Sequence, residues 1–242
     1  MFKRGIDMQL PQNEINLILT AINDFVFNNY CGDEDDDFIA NYRTSILPVD
    51  DWDSGASKFV LLPRDKNYVI KIPYSGSWYH PDDEWDDEIG EWVEQEDFFE
   101  EFEGSYISEE GTWDYCAREE HLYKIAQEYG VEKYFLQTQC IGYVNDHPIY
   151  IQERADEIGY GKRKKTYSDE ECDSTREELK KRGLSGHLNI CWSMEFLANY
   201  GYDEYAKLVK FIEDEYITDL HSGNIGYKDG KPVLVDYCGF ES

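Results

Sequence analysis

Positive charge is scarce in this chain. Twenty-three Lys and Arg face 52 Asp and Glu, a formal net charge of −29 over 242 residues. No Lys or Arg occurs between Ile72 and Ala117. A field of that sign repels nucleic acid and anionic membranes and favours basic partners. No direct nucleic-acid binding and no membrane association are therefore expected. Long apolar runs are missing as well: nothing approaches the ~18 consecutive apolar residues of a membrane span. The N-terminus, Met1-Phe-Lys-Arg-Gly-Ile-Asp7, lacks the apolar stretch of a secretory signal. The 6 cysteines (31, 116, 140, 172, 191 and 238) form no Cys-x-x-Cys pair and no metal-like spacing. That usage fits a reducing cytoplasm and no disulfide framework. Disorder is excluded in turn, because 41% of the residues are hydrophobic and 16% aromatic. No internal repeat is apparent.

The most informative segment lies late in the chain. It reads Tyr216-Ile-Thr-Asp-Leu-His-Ser-Gly-Asn-Ile-Gly-Tyr227, then Val233-Leu-Val-Asp-Tyr-Cys-Gly239. Asp-Gly between apolar runs predicts a tight hairpin over Ile225 to Val235, which brings Asn224 and Asp236 together. Three side chains here suit phosphoryl transfer. Asp219 can orient a hydroxyl nucleophile, and Asn224 and Asp236 can ligate magnesium. A surface hairpin with ordinary turn polars is the bland alternative.

These residues resemble the protein-kinase-like superfamily. Asp219-Leu-His-Ser-Gly-Asn224 is similar to its catalytic loop, and Asp236-Tyr-Cys-Gly239 to its Asp-Phe-Gly element. The Leu-His-x-Gly-Asn flavour is closer to aminoglycoside and choline phosphotransferases and to atypical and phage-borne kinases. Ile217-Thr218 stands where His-Arg is usual, so the arginine that reads a phosphorylated activation loop is missing. The resemblance implies an upstream lysine and glutamate. Val69-Ile-Lys71, in a strand pair over Phe59–Pro63 and Tyr68–Pro73, is similar to Val-Ala-Ile-Lys. Burying an unpaired ammonium is costly, and the α- and β-phosphates of ATP and a helix glutamate are the partners implied. In Tyr115–Ala126, helical spacing puts Leu122, Ile125 and Ala126 on one face. Glu119 projects from that inward side and is chosen as the partner, with Glu120 as the alternative.

The phosphate-covering loop matches least. Gly-x-Gly-x-x-Gly is reduced to Asp53-Ser-Gly-Ala-Ser-Lys58, where Ser57 is the candidate phosphate contact and a plain turn is nearly as good a description. Ile149–Ala155 reads as a buried strand entering a connection. Its place matches the hinge between lobes, and the resemblance implies adenine binding by backbone near Glu153 and Ala155.

The expected fold is α+β and two-lobed, with an antiparallel sheet plus helices in the N-lobe and a reduced helical C-lobe ending just after Asp236-Tyr-Cys-Gly239. The expected division is 1–154 for the N-terminal helix and N-lobe, with an acidic helical insert at about 79–112, and 155–242 for hinge and C-lobe. Elements expected elsewhere are a helix over Gln12–Tyr30, a strand near 43–52, strands over Leu136–Tyr143 and Pro148–Gln152, and helices over Leu188–Ala198 and Tyr202–Glu215. Residues 82–103 carry 13 acidic residues, with Trp85, Ile89, Trp92, Phe99 and Phe102 at helical intervals. They read as an acidic amphipathic helix, either a solvated one packing its aromatic stripe or a docking surface for a basic partner. Gly159–Arg182 is a charged stretch.

The resemblance covers roughly residues 44–242 and leaves no peptide-binding helices after Asp236. It implies an ATP- and magnesium-dependent phosphotransferase, foremost a minimal protein Ser/Thr kinase of cytoplasmic, phage-like character. The alternatives are a small-molecule kinase and a non-catalytic pseudokinase or acidic decoy on a basic partner.

Overall fold

Alternation builds the central sheet. In Lys58–Pro63 and Tyr68–Pro73 successive side chains point to opposite faces, and both strands carry apolar residues at every second position. The computed structural model describes Met8 and residues 10–23, 47–54, 58–73, 83–86, 91–94, 114–144, 147–159, 163, 165–184, 186–218 and 220–238. Among these residues the protein is α+β, with three antiparallel sheets and five α-helices. The strands are β1 (Val49–Ser54), β2 (Lys58–Pro63), β3 (Tyr68–Pro73), β4 (Asp83–Asp86), β5 (Glu91–Glu94), β6 (Thr138–Val144), β7 (His147–Glu153), β8 (Glu157–Ile158), β9 (Ile225–Lys228) and β10 (Lys231–Leu234). The helices are α1 (Gln12–Asn23), α2 (Tyr115–Tyr129), α3 (Asp169–Arg182), α4 (Ile190–Tyr200) and α5 (Tyr202–Asp214). No helix among the described residues is long and apolar enough to cross a membrane.

The largest sheet has five strands in the order β1-β2-β3-β7-β6. Phe59, Leu61, Ile70, Ile72, Ile149 and Ile151 form one of its faces and join Ile18, Ala21 and Ile22 of α1 in a single core. Burying each of the Ile, Leu and Phe side chains contributes about 1.5–3 kcal/mol. The other face runs through the register pairs Val60↔Lys71 and Lys71↔Tyr150 and turns towards α2. The second sheet, β10-β9-β8, sits with α4 and α5. Its Tyr227 and Leu234 share a second core with Trp192, Phe196, Leu208 and Phe211. The chain joins the two sheets where Phe135 bridges Leu234, with the Leu136 N–H donating to the Leu234 carbonyl at 3.0 Å.

Two expectations are corrected, and one segment gains a structure that its charge did not announce. The acidic segment is not helical where it is described: β4 and β5 pair antiparallel, Trp85 opposite Trp92. A helix there would stack like charges such as Asp83/Asp87 and Glu84/Glu88 at i,i+4 and carry Gly90 inside it. The rest of 79–112 lies outside the described residues, as do 24–30, so α1 is described only to Asn23. The first strand runs 49–54, shifted from 43–52. Within the charged stretch 159–182, α3 is a full helix. Ser168 and Glu171 form a capping box, acids fill the first turn and Lys180, Lys181 and Arg182 the last, so the charges oppose the helix dipole at both ends.

Candidate functional site

Helix α2 is held at both ends. Asp114 caps it by accepting from the Ala117 N–H, and also accepts from the Tyr150 hydroxyl at 2.5 Å. Gly130, in the left-handed region at φ 70°, ends it. Cys116, Glu119, Leu122, Tyr123 and Ala126 make its buried face. Glu119 thus points inward by helical spacing alone, at 0% exposure. Glu120 falls on the flank and pairs with Lys124 at 3.0 Å.

Opposite Glu119 stands Lys71 of β3. Its Nζ lies 2.8 Å from Oε1 and 2.7 Å from Oε2, so the lysine–glutamate pairing expected from the sequence is present in the fold. Lys58 was not singled out as a site residue and stands beside it. Residues 58 and 60 share a strand face, and Val60 registers with Lys71. Lys58 Nζ reaches Asp236 Oδ1 at 2.9 Å and Glu119 Oε1 at 3.5 Å. Two buried ammoniums therefore meet two carboxylates. Thr138 donates to Glu119 Oε2 at 2.7 Å, and the Gln152 amide lies 2.9 Å from the Thr138 hydroxyl and 2.7 Å from the Val235 carbonyl. Every polar member of this interior cluster is hydrogen-bonded, the condition under which a buried network is tolerable.

Asp236 arrives from the β9–β10 hairpin. The turn residues Asp229 and Gly230 have φ of 50° and 78°, the doubly left-handed turn that suits strand twist. Pairing continues past the strands, where the Val235 N–H donates to the Asn224 carbonyl at 2.8 Å. Asn224 and Asp236 therefore stand at the same end of the hairpin, as the Asp-Gly spacing predicts. Just before Asn224, His221 Nδ1 accepts the Gly223 N–H at 3.0 Å. A Cβ on Gly223 would lie 2.7 Å from His221 Cε1, so a side chain there would have to displace the His221 ring. Next to Asp236, the buried Tyr237 hydroxyl lies 3.2 Å from the Glu119 carbonyl and 3.0 Å from that of Leu136. Its ring packs edge-on against Phe135 at 5.0 Å.

The charges are strongly coupled. Burial by itself pulls the Lys58 ammonium down, but Asp236 and Glu119 outweigh it and hold its pKa well above the ordinary lysine value. Burial pushes Asp236 up, and Lys58 and then Lys71 reverse this, leaving it well below the usual carboxylate range. For Glu119, burial raises the pKa against the pull of Lys71 and Lys58. Two ammoniums, a hydroxyl and an amide donate to it, a set that fits a carboxylate, while the nearby Asp236 carboxylate adds to the upward pull. Asp236 keeps 29% of its side chain exposed while Lys58 keeps 6%, so the anion faces outward.

Lys71, Glu119 and Asp236 are brought together around Lys58, and Asn224 stands at the Asp236 end of the β9–β10 hairpin. Asp219 and Ser57 lie outside the described residues; Asp219 is flanked by the buried Leu220 and the exposed Thr218. At the connection after β7, the Glu153 N–H donates to the Gln137 carbonyl at 3.1 Å. That donor is therefore spoken for, and Ala155, half-buried, follows it. Thr138 and Gln152, like Lys58, belong to the site but to no recognisable sequence motif. A glutamine closing the apolar run Ile149-Tyr-Ile was the available signal, because a polar group in such a strand needs an interior partner.

Among the described residues no group of three or more His, Cys, Asp and Glu could hold a metal. An amide oxygen and a carboxylate at one hairpin end nevertheless suit magnesium, which takes one or two protein oxygens and completes its shell with water and substrate phosphates. No protein-family model matches the chain, and no curated protein matches it.

Proposed function

We propose that this chain is an ATP- and magnesium-dependent phosphotransferase acting on hydroxyl groups, foremost those of Ser or Thr in proteins. The observation that carries it is the Lys71–Glu119 ion pair beside Asp236, with Asn224 tied to the same hairpin end. These are the groups that phosphoryl transfer asks for. The reaction needs little covalent help from the protein and depends on positioning and electrostatic stabilisation. The sheet order β1-β2-β3-β7-β6 with α2 entering before β6, and Tyr237 tucked under α2, support a protein-kinase-like arrangement. So do the two separate cores, one on the five-stranded sheet with α1 and one that gathers α2, α4, α5 and the β9–β10 hairpin; the proposed division of the chain stays at 1–154 and 155–242, with α2 packing across it.

Each residue then has a role in this chain. Lys71, oriented by both oxygens of Glu119, binds the α- and β-phosphates. Asp219 orients the acceptor hydroxyl and takes its proton. Asn224 and Asp236 supply the oxygens for magnesium, which when bound offsets charge on the transferring phosphoryl group. Backbone after β7 receives adenine through groups other than the Glu153 N–H. The charge of −29 favours basic protein substrates.

Purified protein with labelled ATP and magnesium, offered basic Ser/Thr peptides, tests this. Transfer lost in Lys71→Met and Asp236→Asn, with both still folded, is the expected result. Wild-type protein that neither transfers phosphate nor binds a non-hydrolysable ATP analogue overturns it.

A further inference from the structure

Building on the phosphotransferase reading, we propose that Lys58 is a tethered cation: it occupies Asp236 until nucleotide and metal arrive together, and then turns to the phosphates. Lys58 is the only described cation whose ammonium contacts both carboxylates of the cluster, 2.9 Å from Asp236 and 3.5 Å from Glu119. Lys71 has no such freedom, because both oxygens of Glu119 hold it at 2.8 Å and 2.7 Å. With Lys58 in place the cluster is neutral, two ammoniums against two carboxylates. A divalent cation arriving alone at Asp236 must expel that ammonium into a polar but crowded interior with no new anion to receive it. Arriving with a triphosphate, it brings the anion along.

The strand geometry fits the second position as well as the first. Lys58 opens β2, opposite Pro73, and lies on the same sheet face as Lys71 through the Val60↔Lys71 pair. Its flexible four-carbon stem lets the ammonium swing while the backbone stays in the sheet. The sequence before it, Asp53-Ser-Gly-Ala-Ser57, has one glycine where a glycine-rich phosphate loop has three. A mobile ammonium supplies the missing positive charge. The resting ion pair and the poor loop are thus two aspects of one device, which makes metal binding depend on nucleotide.

Manganese binding to the full chain, followed by electron paramagnetic resonance, tests this without relying on turnover. Wild-type protein without nucleotide should bind Mn²⁺ weakly. Lys58→Met and Lys58→Gln, which free Asp236, should each bind it about tenfold or more tightly. Lys58→Met/Asp236→Asn should lose that gain. With Mn²⁺ and β,γ-methylene-ATP present, the Lys58 variants should bind nucleotide about tenfold less tightly than wild type. Tight Mn²⁺ binding by wild-type protein without nucleotide overturns the proposal, whatever the variants do. So does nucleotide affinity in folded Lys58→Gln equal to that of wild type. If wild-type protein binds the analogue and transfers phosphate but Lys58 proves indifferent, only the tethered cation falls; if it does neither, the phosphotransferase reading falls first.

Discussion

The Tyr237 hydroxyl donates into the Glu119 main chain, 3.2 Å from its carbonyl and 118 residues away in sequence. The same oxygen lies 3.0 Å from the Leu136 carbonyl. One phenol therefore ties α2 to the segment leading into β6 and to the residue after Asp236. Tyr237→Phe should keep the packing against Phe135 and lose about 1 kcal/mol from the missing hydrogen bonds. Tyr237→Ala should cost about 3–5 kcal/mol by opening a cavity. Urea unfolding of both variants checks the ratio. A Tyr237→Phe variant as stable as wild type would mean that the hydroxyl is idle.

Breaking the Lys71–Glu119 pair from one side should cost more than removing both charges. Glu119→Ala leaves Lys71 buried without the two oxygens that hold it, beside an Asp236 already engaged by Lys58, and a loss of about 3–5 kcal/mol is expected. Lys71→Met combined with Glu119→Ala should be milder than the sum of the two singles, with a coupling of about 1–3 kcal/mol in the denaturation cycle. Additive singles would show that the pair does not act as a unit.

Acid sensitivity should trace in part to Glu204. Hydrogen bonds from Lys133, Lys207 and Tyr134 draw its carboxyl down to about 2. A depressed folded pKa contributes stability that is present above the unfolded value, about 4.3, and is lost as pH falls through the folded value. The stability difference between wild type and Glu204→Gln should therefore be level at neutral pH and shrink below about pH 4. Because these side chains are partly exposed, the difference should stay small and fall with added salt. A difference that grows on acidification would contradict it.

The β9–β10 turn sets where Asn224 and Asp236 meet. Gly230→Ala forces a Cβ into the left-handed region at φ 78° and should cost about 1–2 kcal/mol. Asp229→Gly relieves the neighbouring φ of 50° and should be near neutral. Thermal unfolding distinguishes them. A harmless Gly230→Ala would mean the turn accommodates by moving, and the proposed transfer activity should then fall as the hairpin end shifts.

Local spacing made much of this architecture legible. The turn over Arg64–Asn67 announced β2 and β3, Asp229-Gly230 announced β9 and β10, and the periodicity around Leu122 placed Glu119 on the inner face of α2. The acidic hairpin was misread because Trp85, Ile89 and Trp92 lie at intervals that a helix and a tight strand pair both accommodate. Helix α3 was overlooked because it buries so little, Leu179 being its only described buried residue. Its signal lay in the Ser168-x-x-Glu171 cap rather than in any apolar stripe.

The chain alone determined which segments pair with their neighbours, because hydrogen-bond register and helical facing depend on residues a few positions apart. It also determined the excess of negative charge and the presence of one strand lysine able to meet one helix glutamate. Only the tertiary structure decided that Lys58 would meet Asp236, 178 residues later, and that Gln152 would reach the Val235 carbonyl 83 positions on. Those contacts form when packing removes water from charges that must then find partners, and which partners come within reach depends on how the sheet, α2 and the late hairpin close on one another.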